Sequence, residues 1–220
     1  AKDGGTMDHV YLEDLYIHDI DGNLQDKHMD NGGIQFNVSK PTDESKTGIA
    51  RYNDVKITNC YVKDVKRAGI VVGYTYQHSK FNGAQIADET VQKYGHTNIY
   101  IADNYVQNSG NDAIVAMYAY RPVIERNISD TAGVDLDDGY AGYWQSFCAT
   151  IWPWKTKDAV FQYNEAFDTV GEGNGDGQAW DIDWSDGTVY QYNYSHNNGG
   201  GSMLICLNEA YNGTFRYNLS

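Results

Sequence analysis

The feature that most limits the folds open to this chain is a short motif written seven times along it. Its copies begin at Val10, Val55, Ile99, Pro122, Ala159, Thr188 and Gly213. Each places an apolar residue third: Leu12, Ile57, Ile101, Ile124, Phe161, Tyr190 and Phe215. Three residues later comes a turn position, held by Asn104, Asn127, Asn164, Asn193 and Asn218 in five copies and by Leu15 and Cys60 in the first two. Most copies then add a second apolar run, as in Gly33-Ile-Gln-Phe, Gly69-Ile-Val-Val, Ala113-Ile-Val-Ala and Ser202-Met-Leu-Ile. Strands this short cannot bury a face alone, but stacked coil on coil they build a continuous core. An Asn fixed at one turn can take a left-handed conformation there and bond the same Asn of the next coil. The sequence therefore predicts an all-β fold, a right-handed parallel β-helix with long loop insertions and no amphipathic helix of useful length. Residues 1–220 are expected to form part of a single such domain, a piece of a larger chain.

Spacing between copies runs from 23 residues (Ile101 to Ile124) to 45 (Leu12 to Ile57). The shortest spacing sets the coil, and the excess must leave it as loops, which in repeat proteins gather on one face. Segments 40–51 and 77–96 read as polar, mobile loops. Segment 133–156 is the aromatic one, with Tyr140, Tyr143, Trp144, Trp152 and Trp154 beside Asp135, Asp137 and Asp138. Because Pro153 cannot donate to a ladder, Trp-Pro-Trp is expected outside a sheet interior.

Thirty acidic against sixteen basic residues leave a net charge of −14, which excludes nucleic acid and anionic membranes as partners. No apolar run approaches the ~20 residues that span a bilayer, so membrane insertion is not expected. Nineteen tyrosines and five tryptophans suit a surface that handles sugars. Cys60, Cys148 and Cys206 lack metal-ligand spacing and read as buried free thiols.

The candidate site is 171–186, GEGNGDGQAWDIDWSD. A glycine-rich loop carrying Asp176 enters the alternating run Trp180-Asp181-Ile182-Asp183-Trp184. Period-two alternation sends Trp180, Ile182 and Trp184 to one strand face and Asp181 and Asp183 to the other, about 6.6 Å apart along the backbone. Asp is disfavoured in strands, so two of them between tryptophans point to chemistry or to a cation. Glycosidases use two carboxyl groups, about 5–5.5 Å apart for retention and about 6.5–9.5 Å for inversion. Which two of the three act stays open at this level. Trp144, Trp152 and Trp154 are candidate sugar platforms, His196 a substrate contact at a coil corner, and Gln178 and Asp181 further substrate-binding groups. A structural calcium could sit among the acidic loops, Asp135, Asp137 and Asp138 included, since hard cations collect oxygens. No cofactor is expected to be required for catalysis.

The runs Ile151-Trp-Pro-Trp-Lys, Val160-Phe-Gln-Tyr-Asn-Glu, Asp176-Gly-Gln-Ala-Trp-Asp-Ile-Asp, Gln191-Tyr-Asn-Tyr-Ser-His and Gly199-Gly-Gly-Ser-Met-Leu-Ile cover the last third of the chain. They resemble secreted bacterial β-helix carbohydrate enzymes, and within that group glycoside hydrolase family 136, the lacto-N-biosidases. The resemblance implies a retaining mechanism with two aspartates seven residues apart, the spacing of Asp176 and Asp183. It further implies release of a Gal–GlcNAc disaccharide from milk-type oligosaccharides, Asp183 as nucleophile and Asp176 as acid/base, although the reverse assignment fits almost as well. It places the protein outside the bacterial cell or on its surface, with other segments of the same larger protein as partners.

Two rivals stand beside this reading. A calcium-dependent β-helix polysaccharide lyase needs a base and a cation near a uronate, yet no Arg or Lys lies between Asp158 and Arg216. A noncatalytic carbohydrate-binding β-helix would make the carboxylates structural.

Overall fold

The computed structural model describes residues 3–22, 31–83, 85–134, 136, 147–171, 176–206 and 209–220. The chain visits three sheets in turn, one strand to each, and then begins again. The first sheet holds Thr6–Glu13, Arg51–Thr58, His96–Ala102, Val123–Glu125, Val160–Gln162, Val189–Gln191 and Thr214–Arg216, with the short Ala119–Tyr120 beside His96–Ala102. The second runs Tyr16–Ile20, Tyr61–Val65, Tyr105–Ser109, Ile128–Ala132, Glu165–Phe167 and Tyr194–His196. The third runs Gly32–Val38, Ala68–Thr75, Ile114–Met117, Ala149–Trp154, Gln178–Ile182 and Gly201–Ile205. Among the described residues every pairing in all three is parallel, an arrangement consistent with the expected β-helix.

The repeat frame holds. Leu12, Ile57, Ile101, Ile124, Phe161, Tyr190 and Phe215 pair in register, each with the next, across the first sheet. From Ile57 to Tyr190 the column is completely buried. The Phe161 and Tyr190 rings stack at 4.6 Å. Burying side chains of this size is worth about 1.5–3 kcal/mol each, which only stacked neighbours make available.

The asparagines form the expected ladder. Each amide donates to the side-chain oxygen of the next: Asn104 to Asn127 (2.9 Å), Asn127 to Asn164 (3.0 Å), Asn164 to Asn193 (3.1 Å) and Asn193 to Asn218 (2.9 Å). The other amide hydrogen reaches a carbonyl of the preceding coil, and each Oδ1 also takes a backbone N–H. Cys60 closes the ladder, its N–H donating to Asn104 Oδ1. One expectation is corrected. The left-handed residue is not the Asn but the one before it: Asp14, Asn59, Asp103, Arg126, Tyr163, Tyr192 and Tyr217 all have φ between 54° and 59°. That turn aims the Asn side chain inward, where it serves backbone groups rather than its own conformation.

Segment 77–96 is also corrected. It carries the helix Asp88–Tyr94, and Phe81, Ile86 and Val91 are buried in a second apolar cluster with Val71, Val115, Met117 and Trp152. It therefore clads the outward face of the third sheet instead of lying free. Segment 40–51 holds a four-residue helix, Glu44–Thr47, capped by the Asp43 side chain. Among the described residues no helix is long and apolar enough to cross a membrane.

Candidate active site

The third sheet carries Trp152, Trp154, Gln178 and Asp181, with Asp183 just past its strand end. Trp180 pairs with Ile151 and Met203 and is fully buried in the core. Asp181, next along, must therefore face outward, in register with Leu204 and beside Trp152. The strand ends at Ile182, while Asp183 still bridges Trp154. The backbone then turns at Trp184, φ 48°, so Trp184 does not join Trp180 and Ile182 inside. Its ring instead lies under the Lys155 ammonium at 4.0 Å. From within the coil, the buried Tyr190 hydroxyl lies 2.7 Å from the Asp181 carbonyl and 2.9 Å from that of Ile151, tying the core column to the back of the site.

The close entry of Asp176 depends on glycine. Gly177 has φ 93°, its N–H donates to the Cys148 carbonyl at 2.6 Å, and a Cβ there would meet Gly171 at 2.6 Å. Segment 172–175 lies outside the described residues.

Carboxylates dominate the electrostatics. Asp181 is 4% exposed, and burial, then the Asp183 and Asp176 charges, push its carboxyl up to about 8. Its Oδ1 has no hydrogen-bond partner among the described residues. Asp176 is half-buried, and burial raises it too. Donor atoms of Asp181, Asp183 and Cys206 lie within 4.8 Å of one another. A thiol with two carboxylates is not the six-to-eight-oxygen cage that calcium takes. Asp135, Asp137 and Asp138, the loop considered for calcium, lie outside the described residues.

Stacked coils add residues that no local motif announces. Asp112 is fully buried. Its Oδ1 accepts the Trp152 indole N–H at 2.8 Å and the Ala149 N–H at 3.1 Å, from 40 and 37 residues away. Burial raises its carboxyl to about 7 against the opposing pull of the buried Arg67 guanidinium. Cys148, fully buried, has its thiol raised by burial and by Asp112 and Asp176. Lys155, brought from an earlier coil, donates to the Gly83 carbonyl at 2.9 Å and feels the charges of Glu209 and, more weakly, Asp183.

Trp152 is 5% exposed, stacks on Trp154 with centroids 6.1 Å apart, and packs in the second apolar cluster. Trp154 is half-buried at the rim. Contrary to expectation, Trp-Pro-Trp lies within an interior strand, Pro153 in register with Ala116. A missing N–H removes one ladder bond, and the apolar contacts of both tryptophans hold the strand in place. Gln178 opens the site strand, its Oε1 buried without a partner among the described residues. His196 is on the second sheet, stacked on Phe167 at 4.9 Å and 3.3 Å from Glu165, so the structure does not bring it to the carboxylates. Trp144 lies outside the described residues.

Asp112 carries a pH signature opposite to ordinary acid denaturation. Between about pH 4 and about pH 7 the native state keeps a proton that the unfolded state has lost. Its contribution is therefore fully present below about pH 4 and lost as pH rises through about 7. The melting temperature of Asp112→Asn should gain on the parent across that window and level off above it. A difference independent of pH would show that Asp112 does not titrate there.

No protein-family model matches the chain. The whole chain aligns at 46% identity over 238 residues with a lacto-N-biosidase from Bifidobacterium longum subsp. longum, of which it covers 15%. Its structure superposes with a TM-score of 0.91 and 47% identity on the native crystal structure of a glycoside hydrolase family 136 lacto-N-biosidase from Eubacterium ramulus, covering 100% of this chain and 36% of that one. The selenomethionine derivative of that enzyme gives 0.87 and 46% over 99% of this chain and 36% of that one. The chain is homologous to a segment of these enzymes and spans well under half the length of either.

Proposed function

We propose that the protein carrying this segment is a retaining glycoside hydrolase that releases a lacto-N-biose-type disaccharide from milk-type oligosaccharides. Its coil is read as right-handed, the sense that nearly all parallel crossovers take, and its site as extracellular. The observation that carries the reading is that one strand sets Asp181 and Asp183 close together at its outward face, with Asp176 on the loop that enters it and felt electrostatically at Asp181, in a segment homologous to lacto-N-biosidases.

Asp183, half-exposed and near Lys155, is assigned as the nucleophile. Its ionised carboxylate attacks the anomeric carbon and forms a glycosyl-enzyme ester as the glycosidic bond breaks. Asp176, half-exposed and raised by burial, gives its proton to the leaving oxygen and then takes one from the incoming water. Asp181 is too enclosed to reach a glycosidic oxygen. Kept protonated near neutrality, it limits the negative charge around the nucleophile. No step calls on a metal.

Incubation with milk-type oligosaccharides and a chromogenic Gal–GlcNAc glycoside tests the assignment. Disaccharide release is the result expected. An unsaturated, ultraviolet-absorbing product from uronate polymers would support the lyase reading. Saturable sugar binding without turnover would make this a binding module.

A further inference from the structure

A thiol stands beside the two outward carboxylates, and hydrolysis gives it no task. Cys206 follows the strand Gly201–Ile205, whose register puts Leu204 and Ile205 against Asp181 and Ile182. The next residue, Cys206, is therefore carried alongside Asp183, and its N–H donates to the Ile182 carbonyl at 3.2 Å. Its Sγ and one oxygen from each of Asp181 and Asp183 lie within 4.8 Å of one another. An independent observation marks the cluster as more than surface acidity. Asp181 is 4% exposed, yet its Oδ1 meets no donor among the described residues. A buried oxygen left unmet normally answers to a proton, an ordered water or an ion.

Donor chemistry selects the ion. One sulfur and two carboxylate oxygens are too few and too soft for calcium or magnesium, and they match the mixed S/O sets that a four-coordinate zinc-class ion accepts. With bonds of about 2.0–2.3 Å, tetrahedral donors stand about 3.3–3.7 Å apart. Small side-chain rotations reach that from the separations present. The ion's fourth position would be left to water. The overall charge of −14 draws cations to the chain, against the local opposition of the Lys155 ammonium near Asp183.

We propose that Asp181, Asp183 and Cys206 form a site for a thiophilic divalent cation of the zinc class, and that its occupancy blocks hydrolysis by engaging the Asp183 carboxylate. The binding half stands on the geometry alone. The blocking half rests on the assignment of Asp183 as nucleophile.

Titration of the reduced protein with cadmium chloride, read as the thiolate-to-cadmium ultraviolet band, tests binding without any assay of turnover. The expected result is a band saturating at one equivalent, competed by zinc chloride and absent in Cys206→Ser. Asp181→Asn should weaken cadmium affinity tenfold or more. Cys206→Ala serves as the second variant, and circular dichroism shows that each is folded. In the hydrolysis assay zinc chloride should inhibit the parent and leave Cys206→Ser active. No band in the parent, or a band that persists in folded Cys206 variants, overturns the site. Cadmium binding at Cys206 without zinc inhibition overturns the blocking half. If the protein hydrolyses no glycoside while the band behaves as stated, the function falls and the cation site stands.

Discussion

Replacing Asp183 by Asn is expected to lower turnover by about a thousandfold or more while leaving the melting temperature and sugar affinity close to those of the parent. The amide cannot form the ester, and the sheet that holds it is built from other residues: the buried Trp180 inside and the Tyr190 hydroxyl behind the strand. Asp176→Asn should give a comparable loss on substrates with poor leaving groups. The loss should be much smaller on an activated aryl glycoside, whose departure needs little protonation. Turnover and affinity measured on both substrate types separate the two roles. If both variants kept near-parental turnover on every substrate the parent cleaves, the carboxylates would be structural.

The largest effect on stability is expected from Asn164→Leu. Asn164 is 1% exposed and sits mid-ladder. Its Oδ1 takes the Asn127 N–H and amide, and its own amide serves the Ile124 carbonyl and Asn193. Leucine leaves the Asn127 N–H and the Ile124 carbonyl buried without partners, at about 1–3 kcal/mol each. A loss of about 3 kcal/mol or more should follow, seen as a fall in melting temperature on the order of 10 °C for a chain of this size. An unchanged midpoint in thermal unfolding would remove the ladder from the account of stability.

The repeat was legible because its spacing carries the physics. A column from Leu12 to Phe215 and a ladder from Asn104 to Asn218 both follow from residues recurring at fixed intervals. What surrounds the column was less legible. Tyr163, Tyr192 and Tyr217 gave no hint that they occupy left-handed turns, since bulky residues seldom do. Alternation put Trp180 and Ile182 inside correctly but ran one residue too far, because nothing local marks the strand's end at Ile182 before the turn at Trp184. Segment 77–96 looks polar in composition, yet Phe81, Ile86 and Val91 suffice to pin it to the sheet.

Within the site, Asp176, Asp181 and Asp183 were visible as a cluster in sequence. Asp112, Arg67 and Lys155 were not, for a reason that applies to any stacked coil. Asn111-Asp112 reads as an ordinary turn, and only stacking carries Asp112 onto Trp152, 40 residues on. Trp152, read from sequence as one of three candidate platforms, has its indole N–H held by that carboxylate and its ring within an apolar cluster. Sequence spacing shows which residues share a strand face. It does not show what the next coil lays over them.

The central claim, that Asp183 acts as a nucleophile with Asp176 as its acid/base partner, is tested most directly by the anomeric configuration of the first product. Proton NMR during hydrolysis of a milk-type oligosaccharide by the parent protein should show the released disaccharide first in the substrate's own anomeric form, with the other anomer appearing only through later mutarotation. First appearance of the opposite anomer would mean direct attack by water, and would contradict a glycosyl-enzyme formed on Asp183.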